Sequence, residues 1–186
     1  MSYRTTMART AATAYIETFT GKKFYPLWPI QEGIDIVDIA HALSNVCRYT
    51  GHCHYFYSVA EHCVRMSGVV PHEFKMEALL HDASEAYLAD IAGPIKPFLP
   101  DYLKAERRLE VAIRRKFGLP DEMSPEVKEA DRRILVTEAR DLGMSWWEEW
   151  RDRGILPYDF EVIPFESNER VCDMFLNEFY NLGGQR

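Results

Sequence analysis

Cysteine is sparse in this chain, and its four copies (Cys47, Cys53, Cys63 and Cys172) form no C-x-x-C pair. A disulfide framework is not expected at this size, and a reducing compartment is. Long apolar runs are missing too. No stretch approaches the roughly 20 residues that span a bilayer, and the opening MSYRTTMARTAATAYIETFTG lacks the apolar core of a signal peptide. A soluble, cytoplasmic protein with no membrane partner is therefore expected. Basic charge is in deficit: 22 Lys and Arg stand against 29 Asp and Glu, for a net charge of -7. That balance argues against a broad nucleic-acid surface, whereas a small anionic substrate needs only a few placed cations. Repeats, low-complexity tracts and linkers are absent as well. One domain over residues 1–186 is the expectation, with 47% hydrophobic residues to fill its core.

What the chain does have is helical periodicity punctuated by proline and glycine. Residues 1 to 14 are small and polar, which predicts poor order. TAYIETFTGKKFYPLW turns at Thr20-Gly21 and is closed by Pro26 and Pro29, which predicts a short N-terminal β-hairpin. From Asp35 to Arg48, Ile36, Ile39, Ala40, Leu43 and Cys47 recur at helical spacing behind Asp35 as N-cap. After a loop at Tyr49-Thr50-Gly51-His52, the S-x-x-E sequence Ser58 to Glu61 opens a second helix with His62 in its first turn. Gly68 and Pro71 separate that helix from Met76 to Asp90, MEALLHDASEAYLAD, which reads as one buried helix. Gly93 to Pro97 breaks the pattern. A helix from Asp101 to Phe117 stops at Gly118, and another runs from Ser124-Pro125 to Leu142 before Gly143. SWWEEWRDRGILPYDFEVIPF reads as an aromatic, proline-broken loop, followed by a helix from about Ser167 carrying Val171, Phe175, Leu176 and Phe179. The fold class is all-α.

Chemistry concentrates at a few positions. On a helix over Met76 to Asp90, Glu85 lies four residues past His81 and three past Asp82, so three polar groups crowd an apolar segment. Burying them uncompensated costs on the order of several kcal/mol. A divalent metal compensates directly, because imidazole and carboxylate are both ligands it accepts. Asp131 has Val127, Ile134 and Leu135 one turn away, which puts it on the inward side of its helix. A surface acid with apolar neighbours is the plainer alternative. His62, His81-Asp82 and Asp131 lie on three different helices and make a mixed nitrogen and oxygen ligand set. Cys47, His52, Cys53 and His54 lack the spacing of a zinc finger. Trp146, Trp147 and Trp150, with no basic residue between them, read as core or as an oligomer contact.

Taken in order, H…HD…D, these residues resemble the metal signature of the HD-domain phosphohydrolases. The flanking SVAEHCVRMS and ALLHDASEAYLADIAGPIK are similar to the compact 5′-deoxynucleotidases and the phage and bacterial dATP triphosphohydrolases of that superfamily. The likeness is strong over about residues 34–142 and looser over 146–182. It implies a helical bundle around one divalent transition metal (Co²⁺, Mn²⁺, Zn²⁺ or Fe²⁺) held by His62, His81, Asp82 and Asp131. The implied reaction is hydrolysis of the 5′-phosphate or 5′-triphosphate of deoxynucleotides, with purines such as dAMP and dATP expected. The metal would lower the pKa of a water and polarise a phosphoryl oxygen. The resemblance gives Glu85 and Asp90 the handling of that water without deciding which is the base, and gives Arg48 and Lys96 contacts to phosphate. Lys128, one turn before Asp131, resembles the extra cation of a site for a longer phosphate chain. Tyr49, Pro94 and Ile95 would flank the nucleobase. Members of the superfamily are commonly oligomeric, so a homodimer or larger is expected.

Each auxiliary residue also has an ordinary role. Arg48 would suit a helix C terminus, Lys96 a loop surface and Lys128 the solvated face of its helix. Two rival functions remain in view. Di-iron HD-domain oxygenases need further histidines between the HD pair and the final Asp, and no His follows His81. A metal-bound scaffold or sensor without turnover would have no use for Glu85, Asp90, Arg48 and Lys96 together.

Overall fold

The computed structural model describes residues 13–165 and 167–186. The expectation for residues 1 to 14 therefore falls almost wholly outside the described residues. The hairpin is present: β1 (Ile16–Glu17) pairs antiparallel with β2 (Lys23–Phe24), Ile16 opposite Phe24. Gly21, at φ +78°, makes the turn. Phe24 is buried and stacks on Tyr87 with ring centroids 4.1 Å apart, so the hairpin clasps the helical body.

That body is helical throughout: α1 (Ile36–Asn45), α2 (Val59–Val69), α3 (Lys75–Leu80), α4 (Glu85–Leu88), α5 (Pro100–Lys116), α6 (Pro125–Asp141), α7 (Trp147–Asp152) and α8 (Asn168–Asn181). Three starts are capped by the residues the sequence singles out. Asp35, Ser58 and Ser167 accept from the backbone N–H groups of Val37, Glu61 and Arg170. Gly118 and Gly143, both at positive φ, follow the ends of α5 and α6.

Three segments depart from the periodicity. α1 stops at Asn45 instead of reaching Arg48, because Val46 turns extended and the chain pairs with the segment before α2. Val59 N donates to Val46 O and Arg48 N to Tyr57 O, both at 2.9 Å. The Met76–Asp90 stretch is not one continuous α-helix. Between α3 and α4 the bonding tightens to three-residue steps, with Ala83 N to Leu80 O and Glu85 N to Asp82 O. The aromatic loop contains a helix of its own, α7, ended by Gly154 at φ +91°.

α2 lies at the centre. One side of it joins a core with Ile36, Ile39 and Leu43 of α1, Leu109 and Ile113 of α5, and Phe175 and Phe179 of α8. Its Met66, with Val70 just beyond, packs in a second cluster on Val127, Ala130 and Ile134 of α6. Each large apolar side chain fully buried this way contributes about 1.5–3 kcal/mol. The consequence for function is positional: α2 brings His62 between α3 and α6. No helix among the described residues is long and apolar enough to cross a membrane.

Candidate metal centre

His62 and His81 are both buried, and the hydrogen bonds of one nitrogen fix what the other can do. His62 Nδ1 lies 2.7 Å from Glu138 Oε1, and His81 Nδ1 lies 2.7 Å from the Ala78 carbonyl. Both partners only accept, so both Nδ1 atoms carry the proton and both Nε2 atoms present lone pairs. Those lone pairs face each other at 3.1 Å. Around them stand Asp82 Oδ2, 3.2 Å from His81 Nε2 and 3.7 Å from His62 Nε2, and Asp131 Oδ1, 3.4 Å from His62 Nε2. Four acceptor atoms thus converge with no donor among them. Such a cluster could hold a metal ion.

The local electrostatics favour positive charge at this cluster. Burial lowers the pKa of both imidazoles and Arg48 lowers that of His62 further, yet Glu138 and Asp131 raise His62 above its usual value and Asp82 holds His81 well above its own. Burial would raise Asp82, but His81, His62 and Arg48 hold it far below the usual carboxylate range. Asp131 is likewise lowered by the two imidazoles against the effect of burial. The Asp131 side chain keeps 40% of its surface exposed, so the cluster is open on the α6 side. His62, His81 and Asp131 can therefore hold a metal ion, and so can Cys63, His81 and Asp82 as an overlapping group.

Glu138 is the residue the sequence reading overlooks. Fully buried on α6, it accepts from His62 Nδ1, from Tyr57 Oη at 2.9 Å and from Tyr49 Oη at 2.7 Å. Arg48 Nε approaches its other oxygen at 3.2 Å. Burial works against its charge, but His62 and Arg48 bring its pKa down to about 2. The available signal was its place seven residues past Asp131, two turns along the same helix face.

The other expected residues divide into two groups. Arg48 is buried with Nη1 3.4 Å from Asp82 Oδ2, so its guanidinium sits beside the ligand cluster. Arg48, Tyr49, Asp90 and Pro94 line a cleft of about 770 Å³, whose wall also includes Leu135, Met144, Trp146 and Trp150. Glu85 is buried, and burial together with Asp82 and Asp90 pushes its pKa well up; its Oε2 has no hydrogen-bond partner among the described residues. Burial raises Asp90 as well. Lys96, in contrast, places its ammonium on Glu106 at 2.8 Å, with Glu85 at 3.7 Å. Lys128 is exposed on α6 and makes no ion pair among the described residues, and Ile95 is exposed outside the cleft lining. Trp146 and Trp150, read from sequence as core or oligomer contact, stand on the cleft wall. Their signal was the i, i+4 spacing within WWEEW, legible once that segment is helical.

The fold and its ligand cluster define a helical protein with a candidate metal centre. No family model matches the chain. It is 45% identical to "Uncharacterized protein YfdR" of Escherichia coli K12 over 175 residues, covering 93% of this chain and 98% of that one. It is 33% identical to "Uncharacterized protein RCAP_rcc00048" of Rhodobacter capsulatus over 137 residues, 68% of this chain and 70% of that one. The chain belongs to the family of these two proteins.

Proposed function

We propose that this chain is an HD-domain phosphohydrolase that hydrolyses the 5′-phosphate of (deoxy)nucleotides with one divalent transition metal. The observation that carries the reading is the pair of Nε2 lone pairs 3.1 Å apart, joined by Asp82 and Asp131 and opening beside an apolar cleft. His62, His81, Asp82 and Asp131 would hold the metal. When bound, it supplies Lewis acidity toward a phosphoryl oxygen and lowers the pKa of water.

The remaining work belongs to the chain. Arg48, beside the cluster and on the cleft wall, neutralises the phosphate and orients it. Glu85, with an unpartnered oxygen and a raised pKa, accepts the proton of the attacking water. As the water oxygen joins phosphorus, the bond to the 5′ oxygen breaks. Asp90, on the cleft wall with a pKa raised by burial, is suited to return a proton to the departing oxygen. Orthophosphate and a nucleoside result. A monophosphate fits better than a triphosphate, because Lys96 is already paired with Glu106 and neither it nor Lys128 lines the cleft.

The test is ³¹P NMR of dAMP and dATP incubated with the protein and Mn²⁺ or Co²⁺. Orthophosphate from dAMP, abolished by a chelator, is expected. Intact triphosphate from dATP would move the assignment to the triphosphohydrolases. In Glu85→Gln the metal should stay and turnover should fall by at least about a hundredfold, the scale of a lost general base. A scaffold or sensor would release nothing in either form.

A further inference from the structure

We infer that the end of the cleft walled by Trp146, Trp150 and Leu135 is a stacking subsite for a planar heterocycle, so that the base, and not additional phosphate, is what this region recognises. The inference rests on the phosphohydrolase reading for what occupies the Arg48 end of the cleft.

A run of π surfaces continues from Arg48, whose guanidinium borders the His and Asp cluster. The Arg48 guanidinium, 3.4 Å from Asp82, lies 5.3 Å from the Tyr49 ring centroid. The Tyr49 ring is 6.2 Å from that of Trp146, and Trp146 is 6.0 Å from Trp150. A ligand anchored by an anionic group at Arg48 therefore extends along an aromatic wall. Arg48 is the one Lys or Arg among the described residues that line the cleft, so further phosphates beyond it would meet no lysine or arginine. The occupant of the far end is uncharged.

The geometry also constrains its shape and pose. A ring sandwiched between two others needs about 3.5 Å on each side, and Tyr49 and Trp146 are closer and tilted by 49°. The ligand ring consequently lies across one wall and is not inserted between these two. Trp146 and Trp150 meet edge to face at 61°, which braces Trp146 in place as a platform. An alkyl chain would use the same apolar area but would leave the hydroxyl of Ser145 and the imidazole of His52, both on the lining, unmatched. A heterocycle with polar edges matches both kinds of surface.

The experiment compares dAMP with deoxyribose 5-phosphate, which carries the same phosphate and no base, and adds equilibrium dialysis of deoxyadenosine. Wild type should show a lower KM for dAMP than for the base-free ester. Trp146→Ala should raise the KM for dAMP and weaken deoxyadenosine binding by about tenfold, the scale of one lost stacking contact. It should leave the base-free ester unchanged. Trp146→Phe, which keeps a ring, should recover most of the loss and controls for folding. Equal kinetics on both esters with no response to Trp146→Ala would overturn the inference while leaving a phosphohydrolase standing. Deoxyadenosine binding that depends on Trp146, without hydrolysis of any ester, would support the subsite and remove the phosphohydrolase reading.

Discussion

Single residues carry unequal shares of this site, and Glu138 carries one of the largest. Its carboxylate holds the proton-bearing side of His62 and the hydroxyls of Tyr49 and Tyr57, so it sets both a ligand orientation and the cleft wall. Glu138→Gln keeps the shape but removes the charge that favours the Nδ1–H form of His62. Metal affinity measured by titration calorimetry should drop by about 10- to 100-fold, as for other partners of ligand histidines. An unchanged affinity would show that His62 is oriented without it. Ala89 makes the opposite kind of statement. It sits at φ 65°, ψ 159°, a conformation natural to glycine, at the end of α4 and directly before Asp90. Strain of this sort costs on the order of 1–3 kcal/mol. Ala89→Gly should raise stability to urea by about 1 kcal/mol once the added backbone entropy of glycine is subtracted. A loss of stability would mean that the turn is not strained.

At the scale of elements, α1 depends on the acid that starts it. Asp35 caps the helix through Val37 N, and it also takes hydrogen bonds from Lys22 in the hairpin turn and from Arg186 beyond α8. Burial would raise its pKa, but those donors bring it to about 2 from an ordinary 3.8. A lowered folded-state pKa contributes stability above the unfolded value and loses it as the pH falls through the folded one. Melting temperature should therefore decline between about pH 4 and pH 2, and Asp35→Asn should flatten that limb. The contribution is at most about 2 kcal/mol, less in salt because Lys22 and Arg186 are solvent-accessible. A limb of equal slope in Asp35→Asn would assign the acid sensitivity elsewhere. Asp35 was legible as an N-cap from its place before the apolar stripe, as was Ser58 from S-x-x-E, because caps are local. The turn at His81 to Ser84 was not, since dihedrals there stay helical (φ -63°, ψ -35° at His81) and only the hydrogen-bond step shortens. The early end of α1 is also a long-range effect: Cys47 bridges to Ser58, a partner that no window around Arg48 contains.

Across the whole molecule, the candidate metal cluster belongs to the packing of α2 against its neighbours. His62 comes from α2, His81 and Asp82 from the turn after α3, and Asp131 from α6, while α8 supplies none of the four. The positions of these ligands could be read from residue type and order. Their convergence could not, nor could the cleft: its walls come from the 48–52 turn, the 90–94 segment, Leu135 of α6 and the chain after α6, which only packing brings together. Phe175 of α8, fully buried in the core that supports α2, separates the two roles. Phe175→Ala should cost about 3–5 kcal/mol by calorimetric or urea unfolding. Below its melting transition it should still bind one metal per chain. The central claim is tested most directly by equilibrium dialysis of chelator-treated protein against Mn²⁺ or Co²⁺, with the bound metal counted by mass spectrometry. One ion per chain in the wild type, and none in folded His62→Ala or Asp82→Ala, is the predicted result. A wild type that binds no metal, or variants that bind it as well as wild type does, would contradict the assignment of His62, His81, Asp82 and Asp131 as the metal centre.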